Sequence, residues 1–307
     1  MIDVIVGGQF GSEGKGKVTY ILANESIHKC VARIGGPNSG HTVKGKVLRQ
    51  LPVSVLIDRG VSIIGAGSYI DVNILEEEIS IHKPKNLYID SKAVVIRRAE
   101  KSSLRDNIGS TLTGTGEGVY DRVSRNDTIF IKSYKNFAKY IVDTEAIQDV
   151  ISKGCIVEGS QGFGLSNIHT PYYPYCTSRD TTAAGFISEL GVSPLDVRNI
   201  YLVIRTYPIR VAGNSGPLPF EISWEHIGVA KEYTSVTKKV RRVGEFDPEI
   251  VRKAIRYNKP THIILNHLDY IHSSLRKDFV ESIEISIKSK IDYIGLDSED
   301  LCDRSIL

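Results

Sequence analysis

The sequence predicts an α/β fold: a single P-loop-like domain over residues 1–307, with a mostly parallel central sheet flanked by helices and long loops. Short apolar runs rich in β-branched residues recur along the chain, and each closes on a glycine, aspartate, asparagine or arginine. Such runs are typical of strands buried on both faces of a parallel sheet. Helical patterns separate them, and a glycine-dense turn follows the first run, as in nucleotide-binding α/β proteins.

The predicted elements have the following bounds. The predicted strands are Ile2–Val6, Val61–Ile64, Leu87–Ile89, Ala93–Ile96, Cys155–Glu158, Ile200–Ile204 and His262–Leu265. The predicted helices are Lys17–Asn24, Val72–Ser80, Lys135–Ile151 and Pro248–Asn258. The last has a clear start, because Asp247 is a good N-cap and Pro248 suits the first turn. Residues 101–128 and 159–185 are polar and aperiodic, which favours functional loops.

The composition excludes several classes of function. The chain has 307 residues and a formal net charge of +3, too small to indicate binding to nucleic acid or to a membrane. Its four cysteines are scattered, which favours reduced thiols in a cytoplasm over a disulfide framework or a zinc site. The chain opens directly on a strand, which predicts no signal peptide, and no apolar run is long enough to span a bilayer.

Residues 7–17 read Gly-Gly-Gln-Phe-Gly-Ser-Glu-Gly-Lys-Gly-Lys and follow the first predicted strand. Glycines let a backbone approach phosphates closely, and helix-start amides with a lysine neutralise phosphate charge. The segment differs from a Walker A motif, because Gln9 stands six positions before Lys15 and Gly16 replaces the usual Ser or Thr. It therefore indicates either a phosphate-binding loop or a structural turn.

A second glycine-dense turn, residues 35–42, follows the apolar run of residues 30–34 and contains Asn38, Gly40, His41 and Thr42. Taken alone, His41 is more typical of a hydrogen-bonded structural histidine. Beside a phosphate loop, it is also a candidate to donate to a phosphoryl oxygen or to move a proton near neutral pH.

Two further segments are rich in small polar side chains. Residues 108–118, with Ser110 and Thr111, supply hydroxyls and amides that suit a phosphate that is bound but not transferred. Residues 158–162, with Gln161, follow a predicted strand, and residues 175–182, with Thr177, come next. Loops at the carboxyl ends of strands are where α/β sheets collect ligands.

The stretch Thr237–Arg242 is a compact cationic run that begins with a hydroxyl. Such a run is either plain surface or a grip for a dicarboxylate, because arginine binds carboxylates bidentately. Asn266 and Asp269 follow the last predicted strand, and an acidic side chain there suits recognition of a nucleotide base.

In combination, these segments resemble the adenylosuccinate synthetases. The resemblance rests on the order of the matching segments along nearly the whole chain. These segments are residues 7–17, 35–42, 109–125, 158–182, 207–219, 234–247 and 265–269. Enzymes of that family use a nucleoside triphosphate to phosphorylate the 6-oxygen of IMP, and the amine of aspartate then displaces phosphate. The resemblance implies the same fold, Mg2+ as cofactor and a homodimer.

The resemblance also implies a role for each matching residue. Catalysis would involve Ser12, Lys15, His41 and Gln161. The ATP site would comprise Ser12, Glu13, Gly14, Lys15, Gly16, Lys17, Gly40, His41, Thr42, Asn266, Asp269 and Gly295, with Ser12 and Gly40 as the metal positions. The purine monophosphate would contact Ser12, Asn38, Ser110, Thr111, Arg125, Gln161, Thr177 and Val211. L-Aspartate would be held by Thr237, Lys239 and Arg241. Among these residues, Arg125 would reach across the dimer interface, and Val211 is a candidate to form an apolar wall at the 2′ position of the sugar.

One departure from the family pattern concerns the energy donor. His267 stands where guanine-using members have lysine, and residues 293–297, Tyr-Ile-Gly-Leu-Asp, replace their Ser-Thr-Gly-Pro-Asp. These differences favour ATP, or dATP, over GTP.

A second departure concerns Ser12, because the family's loop has an aspartate there. That aspartate removes the N1 proton from IMP, and a serine hydroxyl is far too weakly basic to do so. A small neutral residue leaves room for the exocyclic amine of guanine, whose hydrogen bond a hydroxyl can accept. The chain is in this respect similar to viral members of the family that act on dGMP. The sequence therefore predicts an ATP-dependent ligase of dGMP and aspartate that forms N6-succino-2-amino-2′-deoxyadenylate.

Three other functions stay open at this point. One is a synthetase that acts on IMP despite Ser12. Another is a nucleotide-binding protein without turnover, which the missing carboxylate favours. The third is an unrelated P-loop NTPase, which predicts hydrolysis that does not depend on aspartate.

Overall fold

The computed structural model describes residues 1–97, 108–125, 128–234 and 238–307. Its strands are β1 Ile2–Gly7, β2 Cys30–Arg33, β3 His41–Val43, β4 Lys46–Leu48, β5 Val61–Ile64, β6 Tyr69–Ile70, β7 Asn86–Asp90, β8 Val94–Val95, β9 Ile141–Val142, β10 Cys155–Glu158, β11 Val197–Arg205, β12 Ile209–Arg210, β13 Glu221–Ile222, β14 Arg242–Gly244, β15 His262–Asn266, β16 Tyr293–Ile294 and β17 Cys302–Asp303. Its α-helices are α1 Lys15–Glu25, α2 Val72–His82, α3 Thr115–Ser124, α4 Thr144–Ser152, α5 Ala183–Leu190, α6 Trp224–Ile227, α7 Pro248–Asn258 and α8 Arg276–Ile287.

The strands of the described residues form a ten-stranded sheet in the order β17-β16-β15-β11-β1-β10-β2-β5-β7-β9. Its pairings are parallel except that of β17, which runs antiparallel to β16 at one edge. After β1 the chain builds β2, β5 and β7 to one side, and later β11 and β15 to the other. Ligands of open α/β sheets bind beyond the carboxyl ends of the strands where the order reverses, which here is beside β1.

Both faces of the sheet are covered by apolar packing. In β1, Val4 and Val6 belong to one buried cluster, whereas Ile5 belongs to the cluster on the opposite face. All three side chains are fully buried, as the period of two along a strand requires. The mostly parallel α/β architecture that the sequence predicts is therefore confirmed.

Several predicted elements agree closely with the structure. Val61–Ile64, Cys155–Glu158 and Pro248–Asn258 have the predicted bounds. At the start of α7, the Asp247 side chain accepts a hydrogen bond from the Glu249 backbone N–H at 2.9 Å, which satisfies one free amide of the first turn. Capping residues and buried apolar runs were thus sufficient to set these boundaries.

One predicted helix is wrong, and one predicted strand lies in a different sheet from the others. Lys135–Ile151 is not one helix: Ile141–Val142 pairs with β7 at the sheet edge, and Asp143 then adopts an extended backbone before α4. Ala93–Ile96 does not enter the main sheet, because a turn closed by the Ala93 N–H donating to the Asp90 carbonyl reverses the chain. Its central residues, Val94–Val95, pair instead with β6.

No helix within the described ranges combines the length and the apolar character needed to cross a lipid bilayer.

Candidate active site

The loop between β1 and α1 is braced by the side chain of Glu13. This carboxylate is fully buried, and its Oε1 accepts hydrogen bonds from the backbone N–H of Gln9 at 3.1 Å and of Gly11 at 2.8 Å. Its Oε2 lies 2.7 Å from Lys15 Nζ. Gly14 precedes α1 with φ of 90°, a conformation that glycine adopts without strain. The Glu13 side chain thus contacts other groups of the loop. The backbone amides of the first turn lie at the N-terminal end of α1, where they have no partner within the helix.

Ser12 lies at the exposed tip of this loop. Its φ of 58° places it in the left-handed region, where aspartate and asparagine occur more readily than serine. The side chain of Arg205 donates from Nη1 to the Ser12 carbonyl at 3.1 Å. The backbone of Ser12 is therefore fixed, and its small side chain faces outward.

A buried ion-pair cluster of His41, Glu158 and Arg33 lies against the start of α1. A Cβ placed on Gly16 would lie 2.8 Å from the Cβ of His41, so the histidine packs directly on the first turn of the helix. His41 Nδ1 contacts Glu158 Oε1, and Arg33 Nη1 donates to the same oxygen at 3.0 Å. The other oxygen, Oε2, accepts from the Val53 backbone N–H at 3.2 Å. The carboxylate therefore fixes the ring through Nδ1 and leaves Nε2 as the nitrogen available to a ligand.

Electrostatics in this cluster favour an ionised glutamate. Burial opposes the charge of Glu158, but the neighbouring positive charges of His41 and Arg33 outweigh it and lower the pKa of the carboxyl. Burial lowers the pKa of His41, against the opposing effect of Glu158. Arg33 and His41 both approach Glu158 Oε1, so the ionised carboxylate accepts from the guanidinium and from the Nδ1–H of the imidazole ring.

The segment after β15 packs on the other side of the phosphate loop. Asn266 Nδ2 donates to the Glu13 carbonyl at 2.8 Å, and a Cβ placed on Gly14 would lie 2.6 Å from the same nitrogen. Lys17 does not face the loop's phosphate side: its Nζ donates to the Asp297 carbonyl at 2.9 Å. Gly295 lies against both Asn266 and Lys17, so the structure brings these three sequence-predicted residues together.

His267 is held in a neutral state. Burial, followed by the charge of Arg205, lowers its pKa to about 3. Its ring lies 5.3 Å from that of Tyr270, and its backbone has φ of 61°. Asp269 lies two residues further along the chain and is exposed as a residue. Partial burial of its carboxyl raises the pKa of that group.

Three loops converge beyond β2 and β10. A Cβ placed on Gly35 would lie 3.1 Å from Ser160 Oγ, and one on Gly36 would lie 2.5 Å from Thr115 Oγ1. Gly116, at the start of α3, approaches Ser178 Cβ to 4.0 Å on the same measure. The sequence-predicted residues of these loops are half-buried: Asn38, Thr111, Gln161 and Thr177. The hydroxyls of Ser39 and Thr115 are buried without a hydrogen-bond partner among the described residues, so each has an unused hydrogen bond to offer a polar ligand.

The loop that contains Val211 closes the same side of the site. Gly109 approaches Ser215 so that a Cβ would lie 2.9 Å from its Cα, which brings exposed Ser110 close to this loop. The Ser215 hydroxyl donates to the Val211 carbonyl at 2.6 Å, and the Val211 side chain is 38% exposed. An apolar side chain is thus presented to solvent where the loops meet.

Arg241 lies at the base of a loop whose residues 235–237, with the predicted Thr237, fall outside the described residues. Lys239 in this loop is exposed. Arg241 Nη1 donates to Glu232 Oε2 at 3.1 Å, and Glu232 also contacts the fully buried Arg205. Since Arg205 holds the Ser12 carbonyl, the cationic loop and the phosphate loop belong to one network.

The structure does not bring Arg125 to the other predicted residues. It is exposed and follows α3, whereas Thr115, at the first turn of that helix, faces the site. Ten helical residues span about 15 Å, so Arg125 lies that far from its own chain's site.

Sequence reasoning assigned no role to Arg33, Glu158, Arg205 or Glu232, which hold the predicted residues in place. Arg33, Glu158 and Arg205 each end a buried strand. A charge that terminates an otherwise apolar run was the available signal. Glu232 lies outside any predicted element and carried no such signal.

The comparisons with known proteins agree with this geometry. The sequence profile of the family described as adenylosuccinate synthetase matches residues 4–132 and 127–292. Adenylosuccinate synthetase of Methanocaldococcus jannaschii is 36% identical, covering 87% of this chain and 82% of the relative. N6-succino-2-amino-2′-deoxyadenylate synthase of Vibrio phage phiVC8 is 33% identical, covering 96% of this chain and 95% of the relative.

Two solved structures share the fold. The succinoaminodeoxyadenylate synthetase (PurZ) of cyanophage S-2L, bound to dGMP and dATP as an energy donor, superposes with a TM-score of 0.84 at 28% identity, over 98% of this chain and 95% of the other. Fully ligated adenylosuccinate synthetase of Plasmodium falciparum gives a TM-score of 0.85 at 22% identity, over 98% and 99% of the two chains. The archaeal and the phage relatives are similarly close, so overall identity does not distinguish between their substrates.

Proposed function

This chain belongs to the adenylosuccinate synthetase family of carbon–nitrogen ligases, and we propose that it joins L-aspartate to C6 of dGMP at the expense of ATP or dATP. The product is N6-succino-2-amino-2′-deoxyadenylate, released with a nucleoside diphosphate and phosphate. The observation that carries the proposal is Ser12: a small, neutral, exposed side chain at the tip of the phosphate loop.

Ser12 supports a guanine substrate for two reasons. The Arg205 hydrogen bond to its carbonyl fixes its backbone, so the position is a defined part of the site. Its hydroxyl accepts a hydrogen bond from an exocyclic amine, which guanine has at C2 and hypoxanthine lacks. The phage relatives named above, one by its product and one by its bound dGMP, favour the same substrate.

The reaction proceeds in two steps. The γ-phosphoryl group moves from the nucleotide to O6 of guanine while the N1 proton passes to water, and Lys15, His41 and the amides at the start of α1 stabilise the charge on the phosphoryl group. The amine of aspartate then attacks C6, the C6–O bond breaks, and phosphate leaves with the former O6. Burial of His41 against Gly16 and Glu158 supports its role, because the ring is held beside the phosphate loop before any ligand binds.

The converging loops supply the other residues that we assign to the monophosphate substrate. We assign dGMP to Ser12, Asn38, Ser110, Thr111, Gln161, Thr177 and Val211, with Arg125 supplied by a partner subunit. The unpartnered hydroxyls of Ser39 and Thr115 add two donors that the sequence did not suggest. Aspartate is assigned to Arg241, Lys239 and Thr237.

The energy donor is proposed to be ATP or dATP, bound by the phosphate loop and by Asn266, Asp269 and Gly295. A neutral His267 supports adenine, because it lacks the charged donor that lysine offers to the O6 of guanine. The described residues include no group of three or more His, Cys, Asp or Glu side chains that could hold a metal. The oxygens of Ser12 and Gly40 are neutral, hard donors that fit Mg2+ arriving with the phosphates, where it would offset their charge.

Substitution of Ser12 tests whether the enzyme prefers dGMP or IMP as its substrate. We expect wild type to release phosphate only when dGMP, ATP and aspartate are all present, and to prefer dGMP to IMP. Ser12→Asp should shift the dGMP/IMP ratio of kcat/KM toward IMP by roughly 10²-fold or more, the scale of a restored general base. Because aspartate adopts the left-handed backbone at this position readily, the change should leave the fold intact.

Ser12→Asn is the matched control, since asparagine has the same shape and no basic carboxylate. It should lose dGMP activity without gaining IMP activity. Wild type that prefers IMP, or a ratio unchanged in Ser12→Asp, contradicts the proposal. The first result would favour a synthetase of the archaeal type, and aspartate-independent hydrolysis would favour an unrelated NTPase.

A further inference from the structure

Glu232 is a partly buried carboxylate that connects two parts of the candidate site. Its Oε1 contacts Arg205 and accepts a hydrogen bond from the Tyr270 hydroxyl at 2.7 Å. Its Oε2 accepts from Arg241 Nη1 at 3.1 Å and from Arg205 Nη1 at 3.4 Å. Both oxygens are thus used by groups from three different segments of the chain.

The backbone at this point already forms the base of the cationic loop. Arg241 N–H donates to the Glu232 carbonyl at 2.9 Å, and Thr234 N–H donates to the Lys239 carbonyl at the same distance. These bonds keep the two sides of the loop together but do not attach it to the central sheet. Attachment comes from the Glu232 side chain, which reaches Arg205 at the end of β11 and Tyr270 after β15.

Arg205 extends the connection to the phosphate loop. Its side chain is fully buried, and Nη1 donates to the Ser12 carbonyl at 3.1 Å. Its backbone exchanges two hydrogen bonds with the Gln9 side chain, at 2.9 and 3.1 Å. A continuous path therefore runs from the phosphate loop through Arg205 and Glu232 to Arg241.

We infer that Glu232 is a positioning residue that sets the Arg241 guanidinium against the phosphate loop, so that aspartate binds within reach of the phosphorylated purine. The inference rests on the proposed assignment of aspartate to Arg241. Two arginines face Glu232, and Tyr270 is neutral, so the cluster keeps a net positive charge for a dicarboxylate. A guanidinium has five N–H donors, which leaves Arg241 able to bind a substrate carboxylate while it is held by Glu232.

The direction in which the KM for aspartate changes distinguishes a positioning role of Glu232 from a purely electrostatic one. Glu232→Gln removes a negative charge near a site for an anion. If Glu232 acted only through its charge, the KM for aspartate would fall in this variant. If it positions Arg241, the KM for aspartate should rise roughly tenfold or more, the scale of losing a charge-assisted hydrogen bond. The KM values for dGMP and ATP should stay within about twofold, because neither ligand is assigned to Arg241 and Arg205 keeps its own bonds to Ser12 and Gln9.

Two further variants complete the experiment. Glu221→Gln is the matched control, since Glu221 pairs with the adjacent Arg242 on the same small sheet and does not contact Arg241. It should leave all three KM values unchanged. Tyr270→Phe removes one donor to Glu232 without leaving a buried charge unpaired, and should raise the KM for aspartate several-fold. If Glu232→Gln does not fold, Tyr270→Phe decides the question alone.

An aspartate KM that falls or stays constant in the folded variants overturns the inference, as does an equal rise in all three KM values, which indicates a structural defect only. Wild type without aspartate-dependent turnover contradicts the proposed function itself. The two failures are therefore distinguishable.

Discussion

Two groups of residues meet at the candidate site, and they differ in how the protein holds them. The transfer cluster is buried and joined by ion pairs, and consists of Glu13, Lys15, Arg33, His41 and Glu158. The selection positions are exposed side chains in loops: Ser12, Val211 and Lys239. The first group is fixed by its neighbours, whereas the second faces the space to which we assign the substrates.

The difference separates chemistry from substrate choice. Changes in the transfer cluster should lower turnover with every substrate. Removal of one partner leaves a buried charge unpaired, which disturbs the local structure that all substrates share. Changes at the selection positions should re-rank substrates at little cost in stability, because exposed side chains away from special features contribute little to folding.

The largest expected effect is that of Glu158→Gln. The amide directs an N–H toward His41 Nδ1, which favours the tautomer with its proton on Nε2 and leaves Arg33 without its charged partner. We expect kcat to fall by at least about 10²-fold with dGMP and with IMP alike, so that their ratio is preserved. Steady-state phosphate release measures kcat with each substrate. A changed ratio of kcat for dGMP to kcat for IMP would contradict the distinction between the two groups.

Glu78→Gln is the control for buried-carboxylate loss. Glu78 is buried and accepts hydrogen bonds from the backbone N–H of Gln50 at 3.0 Å and Leu51 at 2.8 Å, and no ligand is assigned to it. It should destabilise the protein by about 1–3 kcal/mol, the cost of an impaired buried acceptor, with kcat nearly unchanged. If Glu78→Gln lowers kcat as much as Glu158→Gln does, the role of Glu158 is structural.

An intermediate effect is expected at Val211. Its half-exposed side chain offers an apolar surface that a 2′-hydroxyl could not hydrogen-bond. Val211→Ser should narrow the preference for dGMP over GMP by about tenfold, with kcat for dGMP and the melting temperature nearly unchanged. Competition between dGMP and GMP measures the preference. An unchanged preference would place deoxyribose selection elsewhere.

The smallest effect is a pH dependence of stability at His267, which belongs to neither group and responds to the charges of Arg205 and Glu232. Its pKa is lowered from 6.5 to about 3 in the folded protein, so between these values the unfolded chain binds a proton that the folded chain does not. Stability therefore falls as pH falls, by about 2 kcal/mol between pH 7 and pH 5 from this group.

His267→Asn should remove that contribution, since asparagine does not titrate and adopts the backbone φ of 61° readily. Urea unfolding of both proteins at pH 7 and pH 5 measures the difference. Equal pH dependence in the two proteins would show that His267 is not held neutral by the fold.

The sequence predicted the sheet and the phosphate loop because both depend on local patterns. Buried strands such as Val61–Ile64 show as apolar runs, and Asp247 marks a helix start through its own side chain. The error at Lys135–Ile151 has a tertiary cause: Ile141–Val142 pairs with β7, a partner distant in sequence. Local periodicity does not report such pairing.

The candidate site shows the same division. Ser12, Lys15 and His41 were found because they lie in glycine-dense turns with recognisable chemistry. The residues that hold them were missed because their roles depend on long-range contacts: Glu158 meets His41 across 117 positions, and Arg205 meets Ser12 across 193 positions. Glu13 and Lys17 were assigned to the nucleotide, whereas their side chains are engaged by the loop and by Asp297.

The central claim is that the neutral tip of the phosphate loop selects a 2-aminopurine. Incubation of the wild-type protein with equimolar dGMP and IMP, excess aspartate and Mg·ATP, followed by mass spectrometry of the products, tests it most directly. We expect N6-succino-2-amino-2′-deoxyadenylate to exceed adenylosuccinate by roughly 10²-fold, the scale on which a site rejects a ligand that leaves its polar group unpaired. A mixture in which adenylosuccinate predominates would contradict the claim.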